Sequence, residues 1–398
     1  MKDLAFSCRI ITRIREVLDM IYTCVDLFAG AGGLSEGLKQ AGFTILAAND
    51  FDDHAAATYK HNHPETIFFD GPIQDIQAED ILKRTGLKRG ELFCLAGGPP
   101  CQAFSVYNHQ RGMHDERSGL FREYIRIVEG LYPKWIVMEN VTGMSSVEGG
   151  LAIKEIIRSL TELGYEVECK TLKAEEYGVP QERRRIIFIG NRLGLPIRFP
   201  EPSHDGVNRP FVNVEQAIMD LPEIGVNGGA DEMDYTQEGV CEYQRYVRDG
   251  SLKVFNHTSP NLSDINIKRL SYIKQGGSWR DIPVDLLPAG MKKAKRSDHT
   301  KRYGRLSLQG LSSTILTKCD PHWGAYFHPT QDRVISVREA ARFQSFPDKF
   351  RFLGPKAEQY KQVGNAVPPL LARAVAMEII NVMNEHEAAS EEKLIEVH

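Results

Sequence analysis

The chain has 398 residues, of which 42% are hydrophobic and 26% charged, and a formal net charge of −4 at pH 7. This composition predicts a soluble protein with one large or two medium domains and no membrane-spanning segment. Charges interrupt the first 21 residues, which argues against a secretory signal. The seven cysteines form no Cys-x-x-Cys pair, and no ligand cluster surrounds His61 or His63, so we expect reduced thiols, no metal site and a cytoplasmic location.

Residues 1–20 precede the regular pattern and are predicted to form an N-terminal helical extension. Their apolar residues recur at helical spacing, at Ile10, Ile14, Val17 and just beyond at Ile21. The extension is interpreted either as a surface helix packed on the next domain or as the product of a start upstream of Met20. A functional arm is the less favoured alternative.

Between residues 21 and 195, short apolar runs alternate with helical patterns. The runs are Tyr22–Leu27, Ile45–Ala48, Leu92–Ala96, Trp135–Met138, Val167–Leu172 and Ile186–Ile189. Strands that alternate with helices form parallel sheets covered by helices on both faces. This segment therefore predicts an α/β domain built on a doubly wound, mainly parallel sheet.

The alternation is lost from residue 196 to residue 324, where Gly and Pro interrupt a charged sequence, and this predicts a smaller irregular domain. A regular pattern resumes over 325–384, with helices predicted at Ser336–Ser345 and Leu370–Met383. The last residues, 385–398, are rich in glutamate and predict a mobile acidic tail.

A glycine-rich turn, Asp26–Gly33, lies between the first predicted strand and a helical pattern. Such a turn can bind a nucleoside cofactor, but taken alone it is more often an NAD-binding or a purely structural turn than a site for S-adenosylmethionine. Asp50 ends the second strand and can accept hydrogen bonds from ribose hydroxyls, while Phe51 offers a face for adenine. A helix N-cap is the alternative interpretation of Asp50.

Residues 97–105 read Gly-Gly-Pro-Pro-Cys-Gln-Ala-Phe-Ser and follow an apolar run. Pro99 and Pro100 fix the backbone, so the loop can hold the Cys101 thiol in one orientation, as a nucleophile requires. An ordinary buried thiol beside a tight turn is the alternative.

Four further segments turn this loop into a recognisable set. They are Asp26–Gly33, Glu139–Val141, Gln181–Arg185 and Gly364–Pro369. Together with the thiol loop they resemble the DNA (cytosine-5) methyltransferases of the bacterial restriction-modification type, from about Tyr22 to Met383, with family motifs missing only in the middle. The resemblance implies the S-adenosylmethionine-dependent methyltransferase fold, a target-recognition domain at 196–324, and a return of residues 325–384 to the catalytic domain.

The resemblance also implies S-adenosyl-L-methionine as the cofactor. The residues it assigns to the cofactor are Phe28, Ala29, Gly30, Gly32, Gly33, Asp50, Phe51, Leu120, Asn365 and Val367. One position departs from the family, because Pro72 stands where an acid usually contacts the adenine amino group. Asp70 or Asp75 could replace that acid, and the sequence does not choose between them.

Carbon 5 of cytosine becomes nucleophilic enough to accept a methyl group only after a thiolate adds to carbon 6, and we assign this thiolate to Cys101, oriented by Pro100. Glu139 is expected to stabilise ring nitrogen 3, and Arg185 to donate to the ring carbonyl oxygen. Arg183 is expected near the thiol and the phosphates. Seen singly, Glu139 could be a strand-end cap and the arginines a surface ion-pair cluster.

Because carbon 5 is hidden in a duplex, the resemblance implies that the target cytosine is flipped out and that loop 102–117, with Ser105, closes over it. Gln181 is also expected to contact DNA. The basic stretch 291–305 is either a solvated surface or a phosphate-contacting face. Its expected DNA contacts are Lys292, Lys293, Lys295, Arg302 and Arg305.

The predicted activity is that of a DNA (cytosine-5-)-methyltransferase acting on a short sequence of double-stranded DNA. We expect a monomer, with a restriction endonuclease of the same specificity as a possible partner. A related tRNA cytosine-5 methyltransferase is the first alternative, although its typical Cys-Phe-Thr segment is not found. A catalytically inactive DNA-binding regulator is the second, and it requires a broken catalytic set.

Overall fold

The computed structural model describes residues 22–100, 119–145 and 150–396, and its centre is a seven-stranded sheet. The strands are β1 (Thr23–Leu27), β2 (Thr44–Asp50), β3 (Ile67–Asp70), β4 (Cys94–Gly97), β5 (Trp135–Val141), β6 (Glu166–Lys173) and β7 (Arg184–Asn191). Their order is β3-β2-β1-β4-β5-β7-β6, and all neighbours are parallel except β7, which runs antiparallel to β5 and β6. The predicted doubly wound, mainly parallel sheet is confirmed. The predicted N-terminal extension lies outside the described residues.

Alternation along the strands divides the apolar side chains between the two faces of the sheet. On one face, Val25 and Leu95 pack with helices α3 (Ala78–Thr85), α4 (Leu120–Leu131) and α5 (Leu151–Glu162). On the other face, their neighbours Cys24 and Cys94 pack with α1 (Gly33–Gln40) and α11 (Pro369–Glu396). Helix α2 (Asp53–Asn62) covers the edge near β3. The result is a three-layer α/β/α arrangement.

The strand order reverses beside β1. The chain passes from β1 outward to β2 and β3, then returns to place β4 on the other side of β1, with Leu27 opposite Gly97. The loops that follow β1 and β4 therefore diverge from neighbouring strand ends. In open α/β sheets this switch point is where ligands bind.

Residues 196–365, which we call the loop-rich region, contain only short elements. They are helices α6 (Val214–Ile218), α7 (Glu242–Arg248), α8 (Asp264–Leu270), α9 (Val337–Phe343) and α10 (Lys356–Asn365), and strands β8 (Gly229–Met233), β9 (Val254–Thr258), β10 (Gly304–Arg305) and β11 (Ala325–Phe327). Buried residues from Val212 to Ile315 share one hydrophobic core with residues from Ala325 to Val363. Residues from Val367 onward instead pack on the sheet. The domain boundary predicted near 325 is not tested by this packing and stays a prediction.

Helix α11 extends to Glu396, so the mobile acidic tail expected from residue 385 is helical as far as the structure describes it. Within the described residues, the stretch Lys356–Ser390 is long and apolar enough to cross a membrane by length and composition alone. However, 61% of its most apolar window is buried inside the protein. This burial is typical of a core helix, and it agrees with the packing of α11 against α1 and the sheet.

Candidate active site

A cavity of about 470 Å³ opens at the switch point between β1 and β4. Segments distant in the sequence line it: the turn after β1, the end of β2, the loop after β4, the end of β5, the start of β7 and the residues after α10. The predicted site residues among its lining are Phe28, Ala29, Gly30, Asp50, Phe51, Pro100, Leu120, Glu139, Arg185, Asn365 and Val367. One cavity thus joins the residues predicted for the cofactor with those predicted for catalysis.

The carboxylate of Asp50 organises the end of this cavity where the cofactor is predicted to bind. Its Oδ2 accepts a hydrogen bond from Gly30 N at 2.7 Å, and its Oδ1 accepts one from Asp52 N at 2.8 Å. Asp50 is therefore not a helix N-cap, because Asp52 caps α2. The neighbouring Phe51 ring is 65% exposed, which leaves its face free for a planar ligand.

The segment Asn365–Val367 is held against the turn after β1 by close backbone packing. A Cβ on Gly33 would lie 2.4 Å from Val367 O, so no larger residue fits there. Gly33 thus acts through packing, and neither it nor Gly32 lines the cavity. On the opposite side, Arg183 Nη2 donates to Gly364 O at 3.0 Å and to Ala366 O at 2.8 Å.

These contacts give Arg183 a role different from the predicted one. Its side chain is only 1% exposed, and burial lowers the pKa of the guanidinium. A group enclosed in this way cannot reach a DNA phosphate. Arg183 is instead a positioning residue that braces the segment closing the cavity.

Asp26 lies at the floor of the cavity with no exposure to solvent. Its Oδ2 accepts a hydrogen bond from Ser35 Oγ at 2.6 Å, but Oδ1 has no hydrogen-bond partner among the described residues. Burial, with a further contribution from Asp50, raises the pKa of Asp26 to about 7. A buried carboxylate oxygen beside a cavity is suited to a polar or cationic ligand group.

The other end of the cavity, where the catalytic residues are predicted, is built around Glu139, the fifth residue of β5. Arg185 Nε lies 2.5 Å from Glu139 Oε1, and both side chains are largely buried. Burial lowers the pKa of Arg185, while the charge of Glu139 opposes this effect. The pair therefore presents a carboxyl group and a guanidinium side by side to whatever enters the cavity.

The loop that carries the thiol is fastened to the same strand. Asn140 Nδ2 donates to Pro99 O at 3.0 Å, and a Cβ on Gly98 would lie 3.2 Å from Glu139 Oε2. The described part of the loop ends at Pro100, which lines the same cavity as Glu139. Cys101 and Ser105 themselves lie outside the described residues.

Other predicted site residues lie away from the cavity. Asp75 is exposed and does not line it, and Asp70 forms an ion pair with Lys60 at 2.7 Å. Neither acid therefore replaces the one that is missing at Pro72. The acid that does reach the cavity nearby is Asp52.

The residues predicted to contact DNA separate into two groups. Gln181 is fully buried, and its amide donates to Phe343 O and accepts from Ile315 N. Arg305 is 9% exposed, and its guanidinium donates to the carbonyls of Leu270 and Ile273 and to the Asp332 carboxylate. These two residues hold loops together and cannot contact DNA from these positions.

The second group faces solvent. Lys292, Lys293 and Lys295 are exposed, and Arg302 is half-buried. Their predicted DNA contacts are not tested by the structure.

Several cavity residues were not predicted from the sequence. They are Asp52, Asn140, Thr317 and Lys361. Lys361 forms an ion pair with Asp52 at 2.6 Å and lies one helical turn before Asn365, so the spacing within α10 could have indicated it. No sequence signal places Thr317, because it lies in an irregular segment.

Comparisons with known proteins agree on the family. Residues 22–381 match the model of the C-5 cytosine-specific DNA methylases. Type II methyltransferase M.AgeI of Thalassovita gelatinovora is 35% identical over 88% of this chain and 97% of that protein. Type II methyltransferase M1.HphI of Haemophilus parahaemolyticus is 35% identical over 92% of this chain and 89% of that protein.

Solved structures give the same result for the fold. A protein of Escherichia coli, described as a DNA modification methyltransferase encoded within a prophage, matches with a TM-score of 0.73 and 26% identity over 91% of this chain and 99% of that one. DNMT2 of Spodoptera frugiperda shares the fold, with a TM-score of 0.56 and 18% identity over 91% of this chain. The chain therefore belongs to the C-5 cytosine-specific DNA methylase family and is a DNA (cytosine-5)-methyltransferase of the restriction-modification type.

Proposed function

We propose that this enzyme methylates carbon 5 of a flipped-out cytosine in a short specific sequence of double-stranded DNA, using S-adenosyl-L-methionine and a covalent bond from Cys101 to carbon 6. One observation carries the proposal. The cavity at the switch point brings the Asp50 carboxylate and the Phe51 ring together with the Glu139–Arg185 pair and the last described residue of the thiol loop, Pro100.

The residues at the cofactor end fit S-adenosylmethionine. Asp50 can accept from ribose hydroxyls, and the exposed face of Phe51 can stack on adenine. The free Oδ1 of Asp26 can accept from the ammonium group of the methionine moiety. Asn365 and Val367 close that end, held by Arg183. When bound, the cofactor supplies the electrophilic methyl group.

The catalytic end suits activation of a cytosine ring. Addition of the Cys101 thiolate to carbon 6 moves electrons through carbon 5 to nitrogen 3, where the Glu139 carboxyl group can act as the general acid. Arg185 can donate to the ring oxygen and stabilise the charge that develops there. After methylation, loss of the carbon-5 proton lets the sulfur–carbon bond break, so that the thiolate leaves and aromaticity returns.

The proposal also covers the DNA contacts, the cellular location and the partners of the enzyme. The exposed lysines at 292, 293 and 295 are suited to phosphates, and loop 102–117, outside the described residues, is expected to close over the base. We infer a monomeric cytoplasmic enzyme, with an endonuclease of the same specificity as a possible partner. The relatives named as Type II methyltransferases support that setting.

Trapping of the covalent intermediate tests the mechanism without knowledge of the recognition sequence. A long duplex made with 5-fluorocytosine in place of cytosine contains every possible site, and fluorine cannot leave as a proton does. With S-adenosylmethionine present, wild-type protein should form an adduct that survives a denaturing gel, and Cys101→Ser should form none. Cys241→Ser, which changes a partly exposed thiol in the loop-rich region, is the matched control and should still form it. Absence of the wild-type adduct would refute the covalent mechanism.

The substrate is tested separately. Tritiated S-adenosylmethionine is supplied with plasmid DNA or with bulk tRNA, and label is expected in DNA alone. Label confined to tRNA would establish the first alternative, and label in neither would favour the inactive regulator.

A further inference from the structure

Two loops of the loop-rich region present an aromatic ladder on the protein surface. The rings of Tyr303, His322 and Trp323 contact one another in order, edge to face, with neighbouring ring centroids 5.8 Å and 5.0 Å apart. The Arg302 guanidinium lies over the Trp323 ring at 4.7 Å from its centroid. Trp323 is 48% exposed, so the outer end of the ladder faces solvent.

The ladder is rigidly built. Tyr303 N donates to Pro321 O at 2.6 Å, which ties the two loops together, and Trp323 N donates to Asp320 O at 2.9 Å. Tyr303 and Cys319 have φ angles of 48° and 42°, a left-handed conformation that is costly for side chains of this size. Such strain persists only where the surrounding structure enforces it, and it concentrates at functional positions.

Arg302 differs from the other arginines that lie over aromatic rings in the described residues. Each of the others also has a hydrogen bond or an ion pair within the protein, as Arg89 does to Glu129 O. None of the described residues accepts a hydrogen bond from the Arg302 guanidinium. The ring therefore fixes the orientation of this fork of donors and leaves the donors themselves free.

Each of the two loops of the ladder is linked to a segment that contributes to the active-site cavity. Lys301, the residue before Arg302, forms an ion pair with Glu182 at 2.7 Å, close in sequence to Arg185. Thr317, at the start of the second loop, lines the catalytic cavity. A duplex that delivers a base to this cavity would pass over these loops.

We propose that Arg302 and Trp323 act as one specificity-determining pair, in which the stacked guanidinium donates to the O6 and N7 atoms of a guanine near the target cytosine. The inference rests on the proposed methylation of duplex DNA. A flexible lysine is sufficient for a phosphate, whereas a guanidinium held in one plane matches the two acceptors of guanine in the major groove. Trp323 contributes by holding that plane.

The experiment measures sequence preference on a library of duplexes with randomised bases, methylated by purified protein and read by sequencing that detects 5-methylcytosine. Wild type should require guanine at one flanking position. Arg302→Lys keeps the charge but loses the fork, and Trp323→Leu loses the ring. Both should lower the guanine preference at that same position by on the order of 10- to 100-fold.

Two further variants complete the design. Trp323→Phe retains a ring face and should keep most of the preference. Arg89→Lys changes an arginine that lies 4.6 Å from the Tyr132 ring centroid, in the loop before β4, and should leave every position unchanged.

Several results would overturn the inference. They are an unchanged preference in Arg302→Lys, a uniform loss of methylation with no change in sequence, effects of Arg302→Lys and Trp323→Leu at different positions, and a wild-type site without guanine. Arg302→Lys keeps the positive charge at a partly exposed position, so this variant should fold normally. The test therefore remains valid even if Trp323→Leu is unstable. A wild type that forms no 5-methylcytosine would refute the proposed function as well.

Discussion

The sheet region (residues 22–195 and 367–396) and the loop-rich region satisfy their buried backbone groups in different ways. In the sheet, long neighbouring strands pair with each other. In the loop-rich region the strands are short, and fully buried arginines donate to backbone carbonyls between them. Arg338, for example, donates to the carbonyl of Phe255 in β9 and to those of Pro347 and Phe350 in the segment between α9 and α10.

A buried arginine that faces the loop-rich region can therefore be structural, and this includes Arg183 of the sheet region, which donates to Gly364 O. Arginine carries several donors in a planar group, so one side chain can satisfy carbonyls that no strand would reach. Arg183 was predicted to lie near the phosphates because it belongs to the Gln181–Arg185 motif, and Arg305 was predicted to contact DNA because it lies in the basic stretch 291–305. The structure shows instead that their donors are used inside the protein.

The largest effect is expected from breaking the buried ion pairs of the loop-rich region. Arg342 is bound by Asp220 and by Asp348, and none of these three side chains is appreciably exposed. Arg342→Met would leave two buried carboxylates unpaired, which should lower the free energy of unfolding by about 3–5 kcal/mol. Urea denaturation measures the change.

A surface pair provides the control for this prediction. Arg209 contacts both carboxylate oxygens of Glu242 at 3.0 Å, but both side chains are exposed. Arg209→Met should cost less than about 1 kcal/mol. Equal losses in the two variants would show that burial does not distinguish the ion pairs of this region.

The next effect concerns the chemistry of the sheet region. Glu139→Gln keeps the side-chain shape but removes the proton donor for nitrogen 3, so turnover should fall by on the order of 10²-fold or more while cofactor binding survives. Single-turnover methylation and cofactor titration measure the two quantities. Glu168→Gln, on the exposed surface of β6, is the control and should behave as wild type. Near-normal turnover of Glu139→Gln would remove this residue from the mechanism.

The sequence predicted the sheet region well because apolar residues recur there at the spacing of strands and helices. Each apolar run matches a strand, and the residues after Leu27, Asp50 and Gly97 meet because parallel strands end at one edge. Strand β3 was not among those runs, because Ile67–Asp70 is short and shows no clear alternation of apolar and polar residues. A helix was predicted at Ser336–Ser345 because the regular pattern resumes there, and the structure has α9 at this place, begun by a capping box of Ser336 and Glu339 on which the prediction did not rest.

The loop-rich region could not be predicted in the same detail. Its contacts join residues far apart in the sequence, such as Gln181 with Phe343, and no local pattern encodes them. The same reason explains why Thr317 was missed as a cavity residue and why Trp323 received no role. Both positions depend on which loops lie next to each other.

A smaller effect separates outward-facing from inward-facing basic residues. Replacing Lys292, Lys293 and Lys295 by alanine should flatten the slope of log affinity against log salt by up to about three units, since each phosphate contact contributes about −0.9. The methylated sequence should not change. Arg305→Ala should instead lower stability, because its guanidinium holds Leu270, Ile273 and Asp332. A wild-type salt slope in the triple variant would make these lysines a solvated surface only.

The smallest effect compares a buried carboxyl group without a cationic partner with one that has such a partner. Burial raises the pKa of Asp26 to about 7, whereas Arg342 lowers the pKa of Asp348 against the effect of burial. Between the ordinary aspartate pKa of about 4 and pH 7, folded protein binds a proton at Asp26 that the unfolded chain does not. The stability due to Asp26 is therefore present below this window and is lost as pH rises through it. Asp348 has the opposite sign, because its contribution is lost only as pH falls below about 4.

The variant Asp26→Asn isolates this effect from other titrating groups. Buried histidines such as His328, whose pKa burial lowers to about 4, contribute an opposite slope in both proteins, so the difference between variant and wild type is the quantity to measure. The free energy of unfolding is measured with urea at pH 6 and at pH 7. From pH 6 to pH 7, wild type should lose about 1 kcal/mol more of this free energy than Asp26→Asn does. Asp50, which faces Asp26, is present in both proteins. Parallel pH dependence of the two proteins would mean that Asp26 keeps its charge in the folded state. A cationic or solvated partner for its free Oδ1 would then be required, and the contrast between the two regions would rest on the arginines alone.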